Sequence, residues 1–194
     1  PSFLFPSLVV YYKLNLYVKV GNPLDNVILI GMPGSGKSTV GVLLAKQLGY
    51  QFLDVDLLIQ EREGALLQEI LDTRGTAAFL DAEEQAVLSL DCRRTILAPG
   101  GSAVCRDRAA RRLSQLGTMV YLNVSLEELT RRIQNLSSRG IAMEPGQTLA
   151  DVMAYRDPLY RRYADLTVDC PQRQSLDQTV QLVRTALTQR GLPR

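Results

Sequence analysis

The sequence predicts an α/β fold in which helices cover both faces of a five-stranded parallel sheet. Short apolar runs alternate along the chain with helical patterns, which is typical of consecutive βαβ units. The chain has 194 residues, of which 46% are hydrophobic and 22% charged, as expected for one globular domain. In such sheets, ligands bind at the carboxyl ends of the strands.

We interpret residues 27–190 as this single domain and residues 1–26 as an N-terminal extension of unknown role. The extension is rich in aromatic residues, and Pro6, Lys13 and Asn15 interrupt its apolar stretches. No stretch therefore reaches the roughly 18 residues that a membrane span needs. We expect no membrane partner.

The predicted strands are, in chain order, NVILI, YQFLDVD, RRTILA, GTMVYLNV and DLTVD. Each contains a short apolar run of the kind found in buried parallel strands. Helical patterns occupy about 38–49, 57–73, 76–89, 125–134, 148–162 and 175–189. Ser125 and Glu128 form a capping box at the start of the fourth of these helices, and Ser175 caps the last.

Composition excludes several classes of function. The formal net charge of +2 is too small to indicate nucleic-acid binding, which usually needs a clustered basic face. The chain has no histidine, which excludes a Ser-His-Asp triad and histidine-ligated zinc. Its three cysteines lack the close spacing of a metal site, so we expect reduced thiols and a cytoplasmic location. We also expect a monomer.

The strongest motif is GMPGSGKS at residues 31–38, which matches G-x-x-x-x-G-K-[ST] between a predicted strand and a predicted helix. Glycines let backbone N–H groups surround phosphate oxygens, and the positive end of the helix dipole faces the same anion. Lys37 is predicted to bridge the β- and γ-phosphates of ATP, and Ser38 to ligate Mg²⁺. A chance glycine turn with a solvated lysine is the alternative. The residues assigned to ATP are Gly34, Ser35, Gly36, Lys37, Ser38 and Thr39.

Two further polar segments follow the second and third predicted strands. Beside Mg·ATP, one of Asp54 and Asp56 would hold the metal's water shell, and the other would orient or deprotonate an attacking hydroxyl. A helix N-cap at Asp56 plus a surface acid is the alternative interpretation. The turn PGGS, at residues 99–102, can bind an anionic or polyhydroxyl substrate through backbone amides, or it can be a plain tight turn.

Residues 135–147 contain glycine, proline and serine without a regular period, and we predict a mobile lid there. Arg132, Arg139 and Arg156 lie in or near this segment. An arginine on a closing lid would neutralise charge on the transferred phosphoryl group. Ordinary solvated arginines are the alternative.

In this order, the motifs resemble those of the shikimate kinase family of small P-loop kinases over about residues 26–190. The matching segments are GMPGSGKST, DVD, GTAAFLDAE, GGS, SSRGIA and RDPLYRRYAD. The resemblance implies a three-layer P-loop kinase fold with a lid. It implies that Ser38 and Asp54 bind magnesium, Asp56 the substrate hydroxyls and their proton, Arg132 the adenine side, and Arg156 the substrate carboxylate, with Arg139 as the catalytic lid residue. We add Arg173 to the nucleotide-binding residues, and Gly100, Gly101 and Ser102 to the substrate-binding residues.

The implied activity is ATP-dependent phosphorylation of a small carboxylated metabolite, shikimate to shikimate 3-phosphate, in aromatic amino acid biosynthesis. Glu83 of the family pattern is kept, but three positions depart from it. Leu80 replaces an arginine that would hold the shikimate carboxylate, Ser102 replaces the third glycine of the turn, and Gly140 replaces the proline of the lid. A lost charge-assisted contact costs on the order of 1.5 to 3 kcal/mol of binding. The alternatives are a kinase for another small hydroxyl acceptor, or a nucleotide-binding regulator without turnover.

Overall fold

The structure is a computed structural model, and it describes residues 26–133, 141–144 and 146–191. The predictions for residues 1–25 and for most of the segment 135–147, including Arg139 and Gly140, lie outside the described residues. Asn26, which is both the last residue assigned to the extension and the first of the predicted strand NVILI, is the first residue of the first strand.

Strands and helices alternate along the described chain. The strands are β1 Asn26–Ile30, β2 Gln51–Asp54, β3 Thr95–Ala98, β4 Gly117–Val124 and β5 Leu166–Cys170. The helices are α1 Lys37–Leu48, α2 Val55–Glu63, α3 Leu67–Leu88, α4 Asp107–Leu116, α5 Leu126–Arg132, α6 Leu149–Tyr163 and α7 Leu176–Gln189. A short 3₁₀ turn covers Ala103–Cys105. In this part of the chain, no helix is long and apolar enough to cross a membrane.

The five strands form one parallel sheet in the order β2-β3-β1-β4-β5. Ile28 of the central strand pairs with Leu97 on one side and with Met119 on the other. Every residue of β1 is buried, because helices cover both faces of a parallel sheet. Helix α1 packs against α7, and α3 packs against α4. The predicted α/β fold class with a five-stranded parallel sheet is confirmed.

One helix boundary differs from the predictions, and it lies at a glycine. The single helix predicted at 57–73 is two helices, because Gly64 has a φ of 63° and ends α2 in the left-handed conformation. The interruption predicted between residues 73 and 76 is present as a kink in α3, because Gly75 has a non-helical φ of 80° and ψ of 171°.

The sequence pattern does not predict α4, which joins β3 to β4. The helix has only 10 residues, and its buried face consists of Ala109, Ala110, Leu113 and Leu116. Two of these four are alanines, which add little to a hydrophobic pattern. The packing of α4 against α3 and the 3₁₀ turn is what identifies it as a core element.

Three segments that are distant in sequence meet at one edge of the sheet. The glycine loop follows β1, Asp54 ends β2, and the turn at 99–102 follows β3. These strands are neighbours and run in the same direction. Their carboxyl ends therefore form one side of a common site, as expected for an open α/β sheet.

Candidate active site

A cavity of about 510 Å³ lies at the carboxyl ends of the strands. It is lined by most of the residues that the sequence predicts for the site: Gly34, Gly36, Lys37, Ser38, Thr39, Asp56, Gly100, Gly101, Ser102, Arg132 and Arg156. The remaining lining residues, not assigned from sequence, are Pro33, Phe79, Pro99, Ile141 and Ala142. Residues predicted to bind the nucleotide, which is the phosphoryl donor, and residues predicted to bind the phosphoryl acceptor therefore line the same cavity.

The glycine loop, residues 31–38, contains three glycines with positive φ. Gly31 has a φ of 145°, Gly34 of 78° and Gly36 of 98°, values that strain any residue with a Cβ atom. Gly36 is the N-cap of α1, and among the described residues no side chain caps the first turn of that helix. The free N–H groups and the positive end of the helix dipole therefore face the cavity, where they can receive an anion.

Lys37 is buried beside this loop. Its Nζ donates hydrogen bonds to the carbonyl oxygens of Gly31, at 2.9 Å, and Met32, at 3.1 Å. Burial lowers the pKa of Lys37 to about 8, although the nearby Asp56 and Asp54 carboxylates oppose the shift. A buried ammonium group in a glycine loop is well placed to interact with a phosphate group.

The serines and threonine of the loop differ in exposure. Ser38 and Thr39, in the first turn of α1, are exposed and line the cavity. Ser35 is buried, its backbone N–H donates to the Met32 carbonyl at 3.1 Å, and its Oγ has no partner among the described residues. Ser35 does not line the cavity, unlike the other five residues assigned to ATP.

The two aspartates at the end of β2 have different environments. Asp54 is the N-cap of α2, and its Oδ1 accepts a hydrogen bond from the Asp56 backbone N–H at 3.0 Å. The capping role considered for Asp56 therefore belongs to Asp54. Asp56 lies in the first helical turn and lines the cavity, and its buried Oδ1 has no hydrogen-bond partner among the described residues. Burial raises the pKa of Asp56 to about 6, against the opposing effect of the Lys37 charge.

Glu83 is a third carboxylate of the site. It lies on α3 with 1% of its surface exposed, and burial raises its pKa to about 7. The Ser102 hydroxyl interacts with the carboxylate and opposes this shift, but neither Oε atom has a partner of good hydrogen-bond geometry among the described residues. Glu83 is therefore a buried acid with unused acceptor capacity next to the cavity.

The turn after β3 is held by packing on both sides. A Cβ atom at Gly101 would lie 2.7 Å from Cδ of Pro33, so the turn packs directly on the glycine loop. The Tyr160 hydroxyl donates a hydrogen bond to the Gly101 carbonyl at 2.5 Å, and its ring stacks on that of Tyr121 at 5.0 Å. The turn thus forms a wall of the site that contacts both the glycine loop and α6.

Two arginines enter the cavity from different elements. Arg156 of α6 is 5% exposed; it donates to the carbonyl oxygen of Ala142, and its Nε has no partner among the described residues. Arg132 of α5 donates from Nε to Oε1 of Glu128 at 2.8 Å, and from a terminal nitrogen to the Ser35 carbonyl at 3.4 Å. Arg132 therefore lies against the glycine loop. Arg156 lies elsewhere in the cavity, where its charge acts on Lys37 together with the charges of Asp56 and Glu83.

Arg173 does not line the cavity. It follows β5 with an exposed side chain and a φ of 56°. Arg173 is connected to the site through Glu128. The backbone N–H of Arg173 donates a hydrogen bond to the Glu128 carboxylate, and that carboxylate also accepts a hydrogen bond from Arg132. Among the predicted residues, Arg139 lies outside the described part of the chain, and Ser35, Asp54 and Arg173 are described but do not line the cavity.

Comparison with known proteins identifies the family. The model of the shikimate kinase family matches residues 33–187. The shikimate kinase of Paracidovorax citrulli (strain AAC00-1) is 38% identical over 175 residues, which cover 88% of this chain and 96% of that protein. The chain belongs to the shikimate kinase family. The shikimate kinase of Pseudomonas aeruginosa (strain LESB58) is 42% identical over 152 residues, or 76% of this chain and 88% of that protein.

Solved structures of shikimate kinases have the same fold. Shikimate kinase from Acinetobacter baumannii in complex with shikimate superposes with a TM-score of 0.80 at 31% identity, covering 88% of this chain and 96% of that one. The enzyme from Aquifex aeolicus gives a TM-score of 0.71 at 26% identity, covering 87% of this chain and 99% of that one. A deoxyadenosine kinase from M. mycoides, at 15% identity and a TM-score of 0.52, shares the fold alone. The resemblance predicted from the motifs is confirmed.

The described departures from the shikimate kinase pattern have distinct surroundings. Ser102, in place of a glycine, is buried and interacts with Glu83. Leu80, in place of an arginine, does not line the main cavity; it lines a smaller adjoining cavity together with Arg156. Phe79, the residue before it, lines the main cavity.

Sequence reasoning assigns no role to Glu83 or Tyr160. Glu83 matches an acidic residue of the family pattern. Its signal in the sequence is an acidic side chain on a helix face whose residues three and four positions away are apolar. Nothing in the sequence indicates that Tyr160 binds the carbonyl of Gly101, because 59 residues separate them.

Proposed function

We propose that this shikimate kinase family member transfers the γ-phosphoryl group of ATP to a hydroxyl group of shikimate, giving shikimate 3-phosphate. The observation that carries the proposal is that Lys37, Asp56 and Arg156 line one cavity with the glycine loop. A cation for phosphate, a base for a hydroxyl and a cation for a carboxylate are the groups that this reaction requires. The solved relative that holds shikimate supports the choice of acceptor.

The donor side of the site suits ATP. The N–H groups at the start of α1 and the Lys37 ammonium would bind the β- and γ-phosphates, and Arg132 would lie beside the nucleotide. Arg173 would support this side through its bond to Glu128. Ser38 and Asp54 offer the hydroxyl and carboxylate oxygens that Mg²⁺ prefers, and the bond from an amide to Asp54 Oδ1 leaves Oδ2 for the ion. When bound, Mg²⁺ would neutralise charge on the phosphate oxygens.

The acceptor side provides a base in a largely buried position. Asp56, with a pKa near 6, is mostly ionised at neutral pH and can accept the proton of the attacking hydroxyl. The hydroxyl oxygen forms a bond to the γ-phosphorus, and the bond from phosphorus to the bridging oxygen of ADP breaks. Lys37 stabilises the charge that moves onto the leaving oxygen. The proton passes to Asp56.

Arg156 and the turn at 100–102 would position the acceptor. Arg156 has a buried N–H without an acceptor among the described residues, and a carboxylate would satisfy it. The backbone of Gly100, Gly101 and Ser102 would contact the ring hydroxyls. We retain Arg139 as the arginine that a closing lid would bring to the transferred phosphoryl group. The free thiols of all three cysteines support a cytoplasmic location.

The test is ADP release with shikimate and with other small hydroxy acids, using the wild type and Asp56→Asn. We expect shikimate-dependent ADP release by the wild type, and a fall in kcat of at least about 100-fold in Asp56→Asn with little change in ATP affinity. Asp72→Asn, at an exposed position of α3, is the matched control and should retain wild-type kcat. A loss of ATP binding without a loss of turnover would refute the role of Asp56.

A different acceptor is the second candidate, and Leu80 is the observation that favours it. An apolar side chain beside Arg156 leaves one arginine to hold the carboxylate and enlarges the apolar surface nearby. If another hydroxy acid supports faster ADP release than shikimate, phosphoryl transfer from ATP is upheld and that hydroxy acid is the preferred acceptor.

A further inference from the structure

Tyr160 of α6 is a buried side chain next to the candidate active site, and the proposed reaction gives it no role. It is 1% exposed and does not line the main cavity. Burial raises the pKa of its hydroxyl above the usual range, so the hydroxyl keeps its hydrogen at neutral pH. A buried hydroxyl needs a hydrogen-bond acceptor, and the acceptor that it finds indicates what the side chain does.

The Tyr160 hydroxyl lies between two loops of the site. It donates a hydrogen bond to the carbonyl oxygen of Gly101, in the turn at 99–102, at 2.5 Å. The same hydroxyl oxygen lies 4.0 Å from Sδ of Met32, in the glycine loop. The carbonyl is the better acceptor of the one hydrogen, since a thioether sulfur accepts only weakly. Tyr160 therefore holds the turn by a hydrogen bond and contacts the glycine loop at the same point.

These two loops would bind the two reactants of the proposed reaction. The glycine loop would bind the phosphates of ATP, and the Met32 carbonyl in this loop accepts a hydrogen bond from Lys37 Nζ at 3.1 Å. The turn would contact the acceptor. A Cβ atom at Gly101 would lie 2.7 Å from Cδ of Pro33, so the two loops pack directly on each other. The Tyr160 hydrogen bond adds direction to this apolar contact, because a hydrogen bond tolerates only a narrow range of angles.

The Tyr160 ring is held by its own neighbours. It stacks on the ring of Tyr121, in β4, with the centroids 5.0 Å apart. The Tyr121 hydroxyl donates to Oδ1 of Asp157 at 2.8 Å, and Asp157 lies on α6 with Tyr160. Arg156, one turn before Tyr160 on the same helix, lines the main cavity. The helix that would hold the acceptor carboxylate therefore also holds the turn that would contact the acceptor ring.

We propose that Tyr160 is a positioning residue for phosphoryl transfer, whose hydroxyl sets the distance between acceptor and γ-phosphate by fixing the turn at 99–102 against the glycine loop. It touches neither substrate and acts through the Gly101 carbonyl. The inference rests on the proposed function, since it assumes an acceptor bound at the turn. Reacting atoms must lie about 3 to 3.5 Å apart, and a displacement of about 1 Å can lower the rate about 100-fold.

Tyr160→Phe is the direct test, because it removes the hydroxyl and keeps the stacked ring. Two rates are measured: formation of shikimate 3-phosphate, and ADP release without shikimate, which reports transfer to water. We expect kcat for shikimate to fall by about tenfold or more, with ADP release to water and the KM for ATP within about twofold of wild type. The two rates separate because a water molecule does not need the turn to position it.

Tyr163→Phe is the matched control. The Tyr163 hydroxyl, on the same helix, donates an exposed hydrogen bond to Oδ1 of Asp107 at 2.6 Å. This variant therefore also loses one tyrosine hydroxyl and one hydrogen bond from α6, but not at the turn. It should keep both rates at the wild-type value. A thermal melt of each variant establishes that it is folded at the temperature of the assay.

Two results would overturn the proposal. One is a wild-type kcat for shikimate in Tyr160→Phe, and the other is an equal fall of both rates, which a general loss of structure would produce. If the wild type phosphorylates another hydroxy acid and not shikimate, the proposed acceptor is wrong. The same pair of rates, measured with that hydroxy acid, then tests Tyr160 independently of the proposed function.

Discussion

The carboxylates of Asp56 and Glu83 approach the same point of the main chain, the α-carbon of Gly100. A Cβ atom at Gly100 would overlap an Oε atom of Glu83 and lie 2.8 Å from Oδ1 of Asp56. The two acids come from α2 and α3, which pack against each other. The hydrogen atom of a glycine is thus what allows two buried acids and the turn after β3 to meet.

Gly100→Ala should reduce activity without unfolding the protein. Gly100 is not among the glycines with positive φ, so alanine fits the backbone, and the cost comes from displacing the two carboxylates. We expect a fall in kcat/KM for the acceptor of about tenfold or more, since a displacement of about 1 Å can cost 100-fold. Steady-state kinetics and a thermal melt measure the two effects.

Gly64→Ala is the matched control for the Gly100 variant. Gly64 has a φ of 63°, and within the described residues no other heavy atom outside the glycine and its chain neighbours lies within 4 Å of the position that a Cβ atom would take, so alanine there introduces backbone strain alone. It should lower stability by roughly 1 kcal/mol and leave kcat/KM unchanged. If Gly100→Ala lowered only stability, as this control does, the contact between the turn and the two acids would have no functional importance.

Glu83→Gln should change how stability depends on pH. The folded-state pKa of Glu83 is about 7 and its ordinary value is 4.5, so between these values the folded state binds more protons than the unfolded state. Stability contributed by this group is therefore full below about pH 4.5 and is lost as pH rises towards 7. Glutamine removes this loss. Relative to wild type, the variant should gain up to about 3 kcal/mol over that range, because one pKa unit is about 1.4 kcal/mol.

Urea unfolding of the unliganded protein between pH 4.5 and 8 measures this difference. Glu84→Gln removes a carboxylate from the adjacent position of α3, where it pairs with Arg108 at 3.7 Å, and controls for the loss of one negative charge. A constant difference in unfolding free energy between Glu83→Gln and wild type across this range would contradict the predicted protonation of Glu83.

Glu128→Gln should weaken ATP binding through Arg132. Glu128 is buried, and its carboxylate accepts from Arg131 at 2.6 Å and from Arg132 at 2.8 Å. These arginines hold the pKa of Glu128 down at about 2, so the group is ionised at neutral pH. Without this charge, Arg132 loses the contact that places it against the glycine loop. We expect the KM for ATP to rise by about three- to tenfold, with kcat and the KM for the acceptor nearly unchanged.

Glu127→Gln provides the comparison for Glu128, because Glu127 is the preceding residue and is exposed. Its carboxylate accepts a hydrogen bond from the side chain of Gln172 at 2.8 Å, away from Arg132. The substitution should leave the KM for ATP at the wild-type value. Equal effects of the two substitutions would show that Glu128 does not position Arg132.

Leu80→Arg should improve the use of shikimate if shikimate is the acceptor. Position 80 lines the cavity that contains Arg156, and it lies one helical turn before Glu83, whose Oε atoms have no partner of good hydrogen-bond geometry within the described part of the chain. A guanidinium there can contact the acceptor carboxylate, and Glu83 can accept a hydrogen bond from it. We expect kcat/KM for shikimate to rise by about tenfold or more, the value of one charge-assisted contact. Leu80→Met, which keeps an apolar side chain, should have little effect. Unchanged or lower use of shikimate in Leu80→Arg would favour a different acceptor.

The amino-acid sequence alone determines the nucleotide side of this site. Gly34, Gly36 and Lys37 lie within four consecutive residues, so the motif and the strand and helix around it can be recognised without knowing the rest of the fold. The alternation of strands and helices predicts the parallel sheet for the same reason, because each element carries its own hydrophobic period. That parallel sheet in turn predicts that Asp56 and the turn at 99–102 lie at the same edge.

Only the tertiary structure decides how the acceptor side is built. Glu83 and Tyr160 belong to two segments that no local sequence pattern connects, and their importance depends on which groups surround them. A carboxylate on a helix is ordinary in sequence, but burial in the folded protein raises the pKa of Glu83. Leu80 likewise indicates a lost arginine in sequence, whereas its place in one small cavity with Arg156 depends on how α3 and α6 pack. Desolvation and contacts between distant segments arise only when the chain has folded.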